Sequence, residues 1–264
     1  MTRVKSHIEN KQGLFIPFIM AGDPSPEVTI ELALTLQDAG AHVIELGIPY
    51  SDPLADGPVI QRSAKRALAH GMSLQKALEL VPQMRKRGLT VPVIIFTYFN
   101  PLLQFGEERF MEAAKQYEVD GLLVPDLPYE ESEKVASLCK EAGLSYISLV
   151  APTSKARVEM IASEAQGFLY CVSSLGVTGV RNEFSPSVFE FLEDVKKHSP
   201  VPIAVGFGIS NKEQVDALSS YCDGIIVGSA ITKLVEEHET LLLNENTRKE
   251  GLEQIKRFVL SLIS

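Results

Sequence analysis

Residues 14–46 read LFIPFIMAGDPSPEVTIELALTLQDAGAHVIEL. Two short apolar runs, Leu14–Ile19 and Val43–Leu46, bracket a longer amphipathic stretch from Pro26 to Ala39. Within that stretch Val28, Ile30, Leu32, Leu34 and Leu36 stand among polar residues, and Gly40 occupies the place of a C-cap glycine. The pattern is strand, helix, strand. Both runs are almost continuously apolar rather than alternating, which marks strands covered on both faces, as in a parallel sheet.

The same unit recurs along the chain. Further strand-like runs are Val93–Phe96, Gly121–Val124, Tyr146–Val150, Phe168–Val172, Ile203–Val205 and Gly224–Val227. Helical patterns lie at Val59–Ala69, Glu107–Tyr117, Glu130–Ala142, Lys155–Ala165 and Pro186–Lys197. Asn211 reads as the N-cap of Lys212–Ser219, and Thr247 and Glu250 have capping-box spacing at the start of a helix reaching Ile263. Eight units in 264 residues give 33 residues each, against roughly 30 for a strand–helix unit. No linker or compositional break divides them. A closed (β/α)8 barrel and an open doubly wound sheet both satisfy this count. No GxGxxG turn follows the first strand, so the barrel is the expectation.

Composition narrows the function. Lys and Arg number 25 against 34 Asp and Glu, a net charge of −9. That excess argues against nucleic acid or an anionic membrane as partner. A small anion remains possible, because backbone amides can hold a phosphate without basic side chains. Cys139, Cys171 and Cys222 are odd in number and form no CxxC pair, which suits a reducing cytoplasm. Residues 1–11 carry no apolar signal core, and the longest apolar run, near Val91–Phe99, is far short of the ~20 residues that span a bilayer.

In a barrel of this kind, chemistry sits where strands end and the following loops begin. None of the five histidines and no lysine falls in those segments. A Schiff base needs a lysine and zinc needs His or Cys, so neither is expected. What remains are carboxylates: Asp23, Glu45, Asp52, Asp56 and Asp126. They suit acid/base work, with a Mg²⁺ site as the other use of the same groups. Glu45 interrupts an apolar strand. Facing the helices it would be stranded among aliphatic groups; facing the lumen it would stand at the mouth of the site with a raised pKa, suited to proton transfer near neutrality. A Glu satisfied by a buried partner is the plainer alternative.

The loop Gly47-Ile48-Pro49-Tyr50-Ser51-Asp52-Pro53-Leu54-Ala55-Asp56-Gly57-Pro58 follows. Its prolines shape the backbone. Asp56 reads either as a functional carboxylate or as the cap of the helix beginning nearby. Two glycine clusters, Gly206-Phe207-Gly208-Ile209-Ser210 and Gly228-Ser229-Ala230, end the seventh and eighth strands. Barrels frequently bind phosphate between those two loops. The polar, glycine-rich segment from Ser173 to Glu183 has the composition of a mobile lid, or of an ordinary surface loop.

The runs Pro17-Phe18-Ile19-Met20-Ala21-Gly22-Asp23-Pro24, Glu45 to Pro58, Gly176-Val177-Thr178-Gly179 and Gly206-Phe207-Gly208-Ile209-Ser210 resemble the tryptophan synthase alpha chain, in order and over essentially the whole sequence. The resemblance implies an α/β fold: one (β/α)8 TIM barrel over residues 1–264 with an extra N-terminal helix. It implies cleavage of indole-3-glycerol phosphate to indole and glyceraldehyde 3-phosphate, in L-tryptophan biosynthesis. It also implies a pyridoxal-phosphate beta chain as partner in an alpha2-beta2 tetramer, with no cofactor or metal in this chain. Residue by residue, Glu45 matches the acid/base acting on C3 of indole, and Asp56 the carboxylate facing the indole N–H. Phe18, Phe96, Tyr98, Leu123 and Phe207 match the indole pocket, Tyr170 matches the residue lining the site beside Glu45, and Thr178 matches the lid residue. Gly179, Gly208, Gly228 and Ser229 match the phosphate site. Asp52 and Pro53 match the loop that signals to the beta chain. Pro125 departs from the small alanine of other members, and is expected to reshape the pocket wall. A stand-alone lyase of the same family, a different phosphosugar barrel and a non-catalytic activating subunit are the competing readings.

Overall fold

Strand β1 (Leu14–Met20) is buried at all seven positions, as a strand with the lumen on one face and helices on the other must be. The computed structural model describes residues 1–9, 11–172, 184–206 and 208–264. Among them the remaining strands are β2 (Ile44–Gly47), β3 (Val93–Phe96), β4 (Gly121–Leu123), β5 (Ser145–Tyr146), β6 (Leu149–Val150), β7 (Leu169–Val172), β8 (Ile203–Gly206) and β9 (Gly224–Val227). All pairings are parallel, in the order β5-β4-β3-β2-β1-β9-β8-β7-β6. The two ends of that order are one stretch of chain. β5 pairs with β4 and β6 with β7. Between them Ile147 N–H donates to Leu122 O at 2.9 Å, and Ser148 O accepts from Tyr170 N–H at 3.0 Å. Residues 145–150 are thus a single stave that changes partner halfway, and the nine strands close as an eight-staved (β/α)8 barrel.

The strand boundaries agree with the apolar runs to within a residue or two, because burial on both faces leaves few polar positions inside a strand. Alternate residues point inward. Leu14 and Ile16, Val43, Ile94, Leu123, Ile147, Phe168 and Tyr170, Ala204 and Ile226 form the lumen cluster, which Val4 and Ile8 join from below. Those last two belong to the helix Arg3–Ile8, which plugs the barrel's N-terminal end. It is anchored by Thr2 Oγ1 against Ser145 Oγ at 2.6 Å and by Arg3 against Asp120 at 3.5 Å.

Two helix starts differ from the sequence reading. Thr247 is not a capping-box residue. Its backbone is already helical (φ −113°, ψ −7°) and its side chain caps nothing. A short helix, Glu239–Leu243, precedes it, and the Thr247 hydroxyl is taken up by Leu241 O, to which it donates at 3.0 Å. The reciprocal capping box lies instead at Asn211 and Gln214. The stretch from Glu130 begins as a 3-10 turn, Tyr129–Glu131, and becomes α-helical only at Glu133–Ala142.

Ile8 is 1% exposed in the plug. Replacing it with alanine is expected to cost about 2–5 kcal/mol, the usual range for a buried Ile truncated to Ala. Urea unfolding checks this; an unchanged midpoint would show that the plug does not support the barrel.

Candidate active site

The five strand-end carboxylates separate cleanly. Asp23 is tied up: Ser63 Oγ donates to Oδ2 at 2.5 Å, and Arg66 donates through Nε and Nη2 at 2.8 Å each. Asp126 Oδ1 accepts from Phe99 N–H at 2.8 Å, holding the start of the helix Phe99–Phe105. Asp52 is exposed and accepts from Ser51 Oγ at 2.6 Å. Glu45 and Asp56 are left.

Glu45 lies on β2, in register with Phe18 of β1 and Ile94 of β3. It shares the inward parity of Val43, a lumen residue. It is 0% exposed, and neither carboxyl oxygen has a hydrogen-bond partner among the described residues. Desolvation alone pushes its pKa up to about 8. At pH 7 the group therefore carries its proton.

Asp56 stands in the loop beyond the same strand. The cap question raised by its sequence has a definite answer. The N-cap of the helix Pro58–Ala69 is Gly57, with no side-chain cap, so the Asp56 carboxylate is free for other work. Burial raises its pKa to about 6, and a hydrogen bond from the Tyr98 hydroxyl pulls it back. Tyr98 Oη also accepts from Ala55 N–H at 3.0 Å, which fixes the loop. Burial, then the nearby Asp56 charge, raises the Tyr98 phenol pKa, so it remains a donor. Tyr170 touches both halves of the pair electrostatically: after burial, Glu45 and then Asp56 raise its pKa. Two carboxyls with unlike protonation at neutral pH thus flank one phenol.

Asp56 lines a pocket together with Phe18, Phe96, Tyr170, Gly208, Gly228 and Ser229; Glu45, wholly buried, is not among its lining residues. Phe18 and Phe96 meet edge to face, with centroids 5.4 Å apart. Two glycines make room for its aromatic walls. A Cβ at Gly47 would collide with the Phe18 ring, and one at Gly206 with the Tyr170 phenol. Gly228 is the N-cap of the helix Ser229–Glu237 and offers no side-chain cap, so the first amides of that helix are unpaired within it and stand at the pocket. Such an end favours an anion.

The structure thus gathers most of the residues singled out above. Leu123 sits in the lumen cluster with Phe96 and Tyr170 rather than on the pocket wall. Thr178, Gly179 and the rest of the lid segment, and Phe207, lie outside the described residues. Pro125 does not line this pocket. It lines a neighbouring cleft with Tyr129, Tyr146 and Arg157, because it follows β4 on the far side of the barrel mouth. Ile60, Ile209 and Ile226 also line the pocket and were not singled out by the sequence; an isoleucine on a helix, in a loop or in a strand carries no mark distinguishing a pocket wall from core. Among the described residues one His/carboxylate cluster has metal-ligand spacing, Glu159, Asp194 and His198. It is away from the barrel mouth, and Lys155 is paired with both carboxylates.

A family model described as tryptophan synthase alpha chain matches residues 4–259. The chain belongs to the tryptophan synthase alpha chain family. The tryptophan synthase alpha chain of Halalkalibacterium halodurans is 63% identical over 264 residues, covering all of both chains. That of Bacillus subtilis is 53% identical over 257 residues, covering 97% of this chain and 96% of the relative. Among solved structures, tryptophan synthase subunit alpha from Legionella pneumophila superposes with a TM-score of 0.87 at 35% identity, covering 99% of this chain and 97% of that one. A chain of the tryptophan synthase a2b2 complex from Pyrococcus furiosus does so with a TM-score of 0.86 at 37% identity, covering 96% and 98%. No helix among the described residues is long and apolar enough to cross a membrane.

The raised Glu45 pKa has a consequence for stability in this family member. A carboxyl whose folded pKa exceeds its unfolded value stabilises the fold fully below the unfolded value. That contribution fades as pH rises from about 4.5 through about 8. The full swing is at most roughly 5 kcal/mol. Glu45→Gln removes it, so the variant's Tm should gain on wild type progressively between pH 5 and pH 9. A Tm difference that stays constant over that range would contradict the buried, protonated carboxyl.

Proposed function

We propose that this chain cleaves indole-3-glycerol phosphate into indole and glyceraldehyde 3-phosphate, as the alpha chain partner of a pyridoxal-phosphate beta chain. The observation that carries the reading is the pair of unlike carboxyls: Glu45 holding its proton near neutrality, Asp56 ionised. Groups whose pKa values are pushed apart by their surroundings divide acid and base roles.

The chemistry follows from that pair. Phe18 and Phe96, with Tyr98 and Phe207, take the indole ring, and Leu123 backs Phe96 from the lumen cluster. Gly208, Gly228 and Ser229, with Gly179, take the phosphate. Protonated Glu45 gives its proton to C3 of the indole. Positive charge develops at N1, where the Asp56 carboxylate, held by Tyr98, stabilises it. Glu45, now a carboxylate, accepts the proton of the glycerol hydroxyl next to C3. The C3–glycerol bond breaks, its electrons restore the aromatic ring, and the carbon left behind becomes the aldehyde. Glu45 ends protonated, as it began, so no further proton carrier, metal or cofactor of this chain is required. Tyr170 keeps the space around Glu45 dry, and Thr178 closes over the bound substrate.

The partner surface is proposed at the barrel mouth. Asp52 and Pro53 lie beside Leu54, which is 80% exposed, and Leu103 on the adjoining helix is 51% exposed. Tyr50 Oη accepts from Asn100 Nδ2 at 3.0 Å and so ties loop to helix. An alpha2-beta2 assembly built on this face would pass indole to the beta chain for L-tryptophan synthesis. We place residues 1–264 in one domain and the enzyme in the cytoplasm.

The test is release of indole by the purified chain, with and without a cognate beta chain. Release that rises markedly with the beta chain, together with co-elution, is expected; an unchanged rate and no complex would leave a stand-alone lyase. Glu45→Gln should lower release by a factor of at least about 100 while substrate still binds. Because activity needs Asp56 ionised and Glu45 protonated, kcat/KM should rise through pH about 6 and fall through pH about 8. Asp56→Asn should remove the acid limb, and an acid limb that persists in that variant would refute the assignment.

A further inference from the structure

Two helices aim their N-terminal ends at the pocket. Gly57 and Ile60 bring the start of Pro58–Ala69 to it, and Gly228 and Ser229 the start of Ser229–Glu237. Farther along, the same two helices are bolted together by charge. Glu236, near the C-terminal end of the second helix, accepts three guanidinium bonds from the first: Arg62 Nε to Oε1 at 2.8 Å, Arg62 Nη2 to Oε2 at 2.7 Å, and Arg66 Nη1 to Oε1 at 2.7 Å. Arg66 spends its other edge on Asp23, which is 2% exposed and follows β1. Ser63, one turn before Arg66 in sequence, donates to the same carboxylate.

We propose that Arg66 and Glu236 are positioning residues, a clamp that holds the phosphate-binding helix in register with the Asp56 loop. This rests on the reading of the pocket as a phosphate-ester site. Arg66 joins three bodies: the barrel frame through Asp23, the helix that leaves the Asp56 loop, and the helix that presents Gly228 and Ser229. A planar fork that meets two carboxylates along different edges fixes angle as well as distance, which a lysine could not do. The lever is short and stiff. The nine-residue helix Ser229–Glu237 is about 13 Å long at 1.5 Å per residue. A tilt of about 5° at the clamp would move its phosphate end by about 1 Å, a displacement that matters to bound ligands. The two arginines draw the Glu236 pKa down to about 2, so its charge is present throughout the working range.

The clamp therefore separates phosphate recognition from chemistry. Glu236→Gln keeps the Asp23–Arg66 pair and removes the charge that locks the helices. Arg62→Met removes only the exposed arm. Steady-state indole release gives kcat and KM, and titration gives Kd for glycerol 3-phosphate and for indole as separate probes. In Glu236→Gln, KM and the Kd of glycerol 3-phosphate are expected to rise together at least fivefold, with kcat within twofold and indole affinity unchanged. Arg62→Met should move the same two constants in the same direction by less, and it decides the matter if Glu236→Gln does not fold. Variants that bind glycerol 3-phosphate as wild type does would overturn the clamp. So would variants that lose both probes equally, since that marks general loosening. Wild type is the control: no indole release there counts against the proposed function, whereas a working wild type with unaltered variants counts against the clamp alone.

Discussion

A single carboxyl group with no hydrogen-bond partner among the described residues, placed inside an apolar barrel, sets the terms for the rest of this molecule. Burying an ionised carboxylate without compensation is prohibitive, so the group keeps its proton. Everything around Glu45 maintains that condition. Val43 and Ile94 share its lumen, Phe18 lies in register beside it on β1, and the buried Tyr170 phenol is close enough to feel its charge. Gly47 and Gly206 have no side chain because those aromatic rings need the space. The acid strength of Glu45 is thus a property of the barrel's packing rather than of any one neighbour. Asp56, in a loop rather than on a strand, keeps enough polar company to stay ionised at neutrality.

Much of this was legible in the sequence, for identifiable reasons. Buried parallel strands leave continuous apolar runs, so the strand positions could be read almost to the residue. A charge inside such a run stands out, and Glu45 stood out. The absence of lysine and histidine at strand ends removed whole classes of chemistry. The pattern at Asp56-Gly57-Pro58 was ambiguous, because a cap and a functional carboxylate call for the same residue; only the backbone geometry assigns the cap to Gly57. Thr247 shows the converse, a correct motif whose first residue is already helical and whose hydroxyl is engaged by Leu241 O instead. The partner switch at Ile147–Ser148 leaves no trace in an apolar run. The clamp between Arg66 and Glu236 joins residues 170 positions apart, which no local pattern can reveal.

The two ends of the barrel have different duties. At the N-terminal end, Val4 and Ile8 fill the lumen and Arg3 and Asp120 fasten the plug, a matter of stability. At the other end the lumen opens among glycines, aromatics and two carboxyls. The net charge of −9 fits this division: the phosphate is expected at backbone amides of Gly208, Gly228 and Ser229, so the anion needs no basic surface.

Glu45 is a carboxylic acid at neutral pH. Infrared difference spectroscopy of the free chain, with Glu45→Gln as the subtracted reference, reads this directly from the carboxyl C=O stretch. A protonated carboxyl band is expected at pH 7, titrating away with a midpoint near pH 8. A carboxylate already ionised at pH 6 would contradict it.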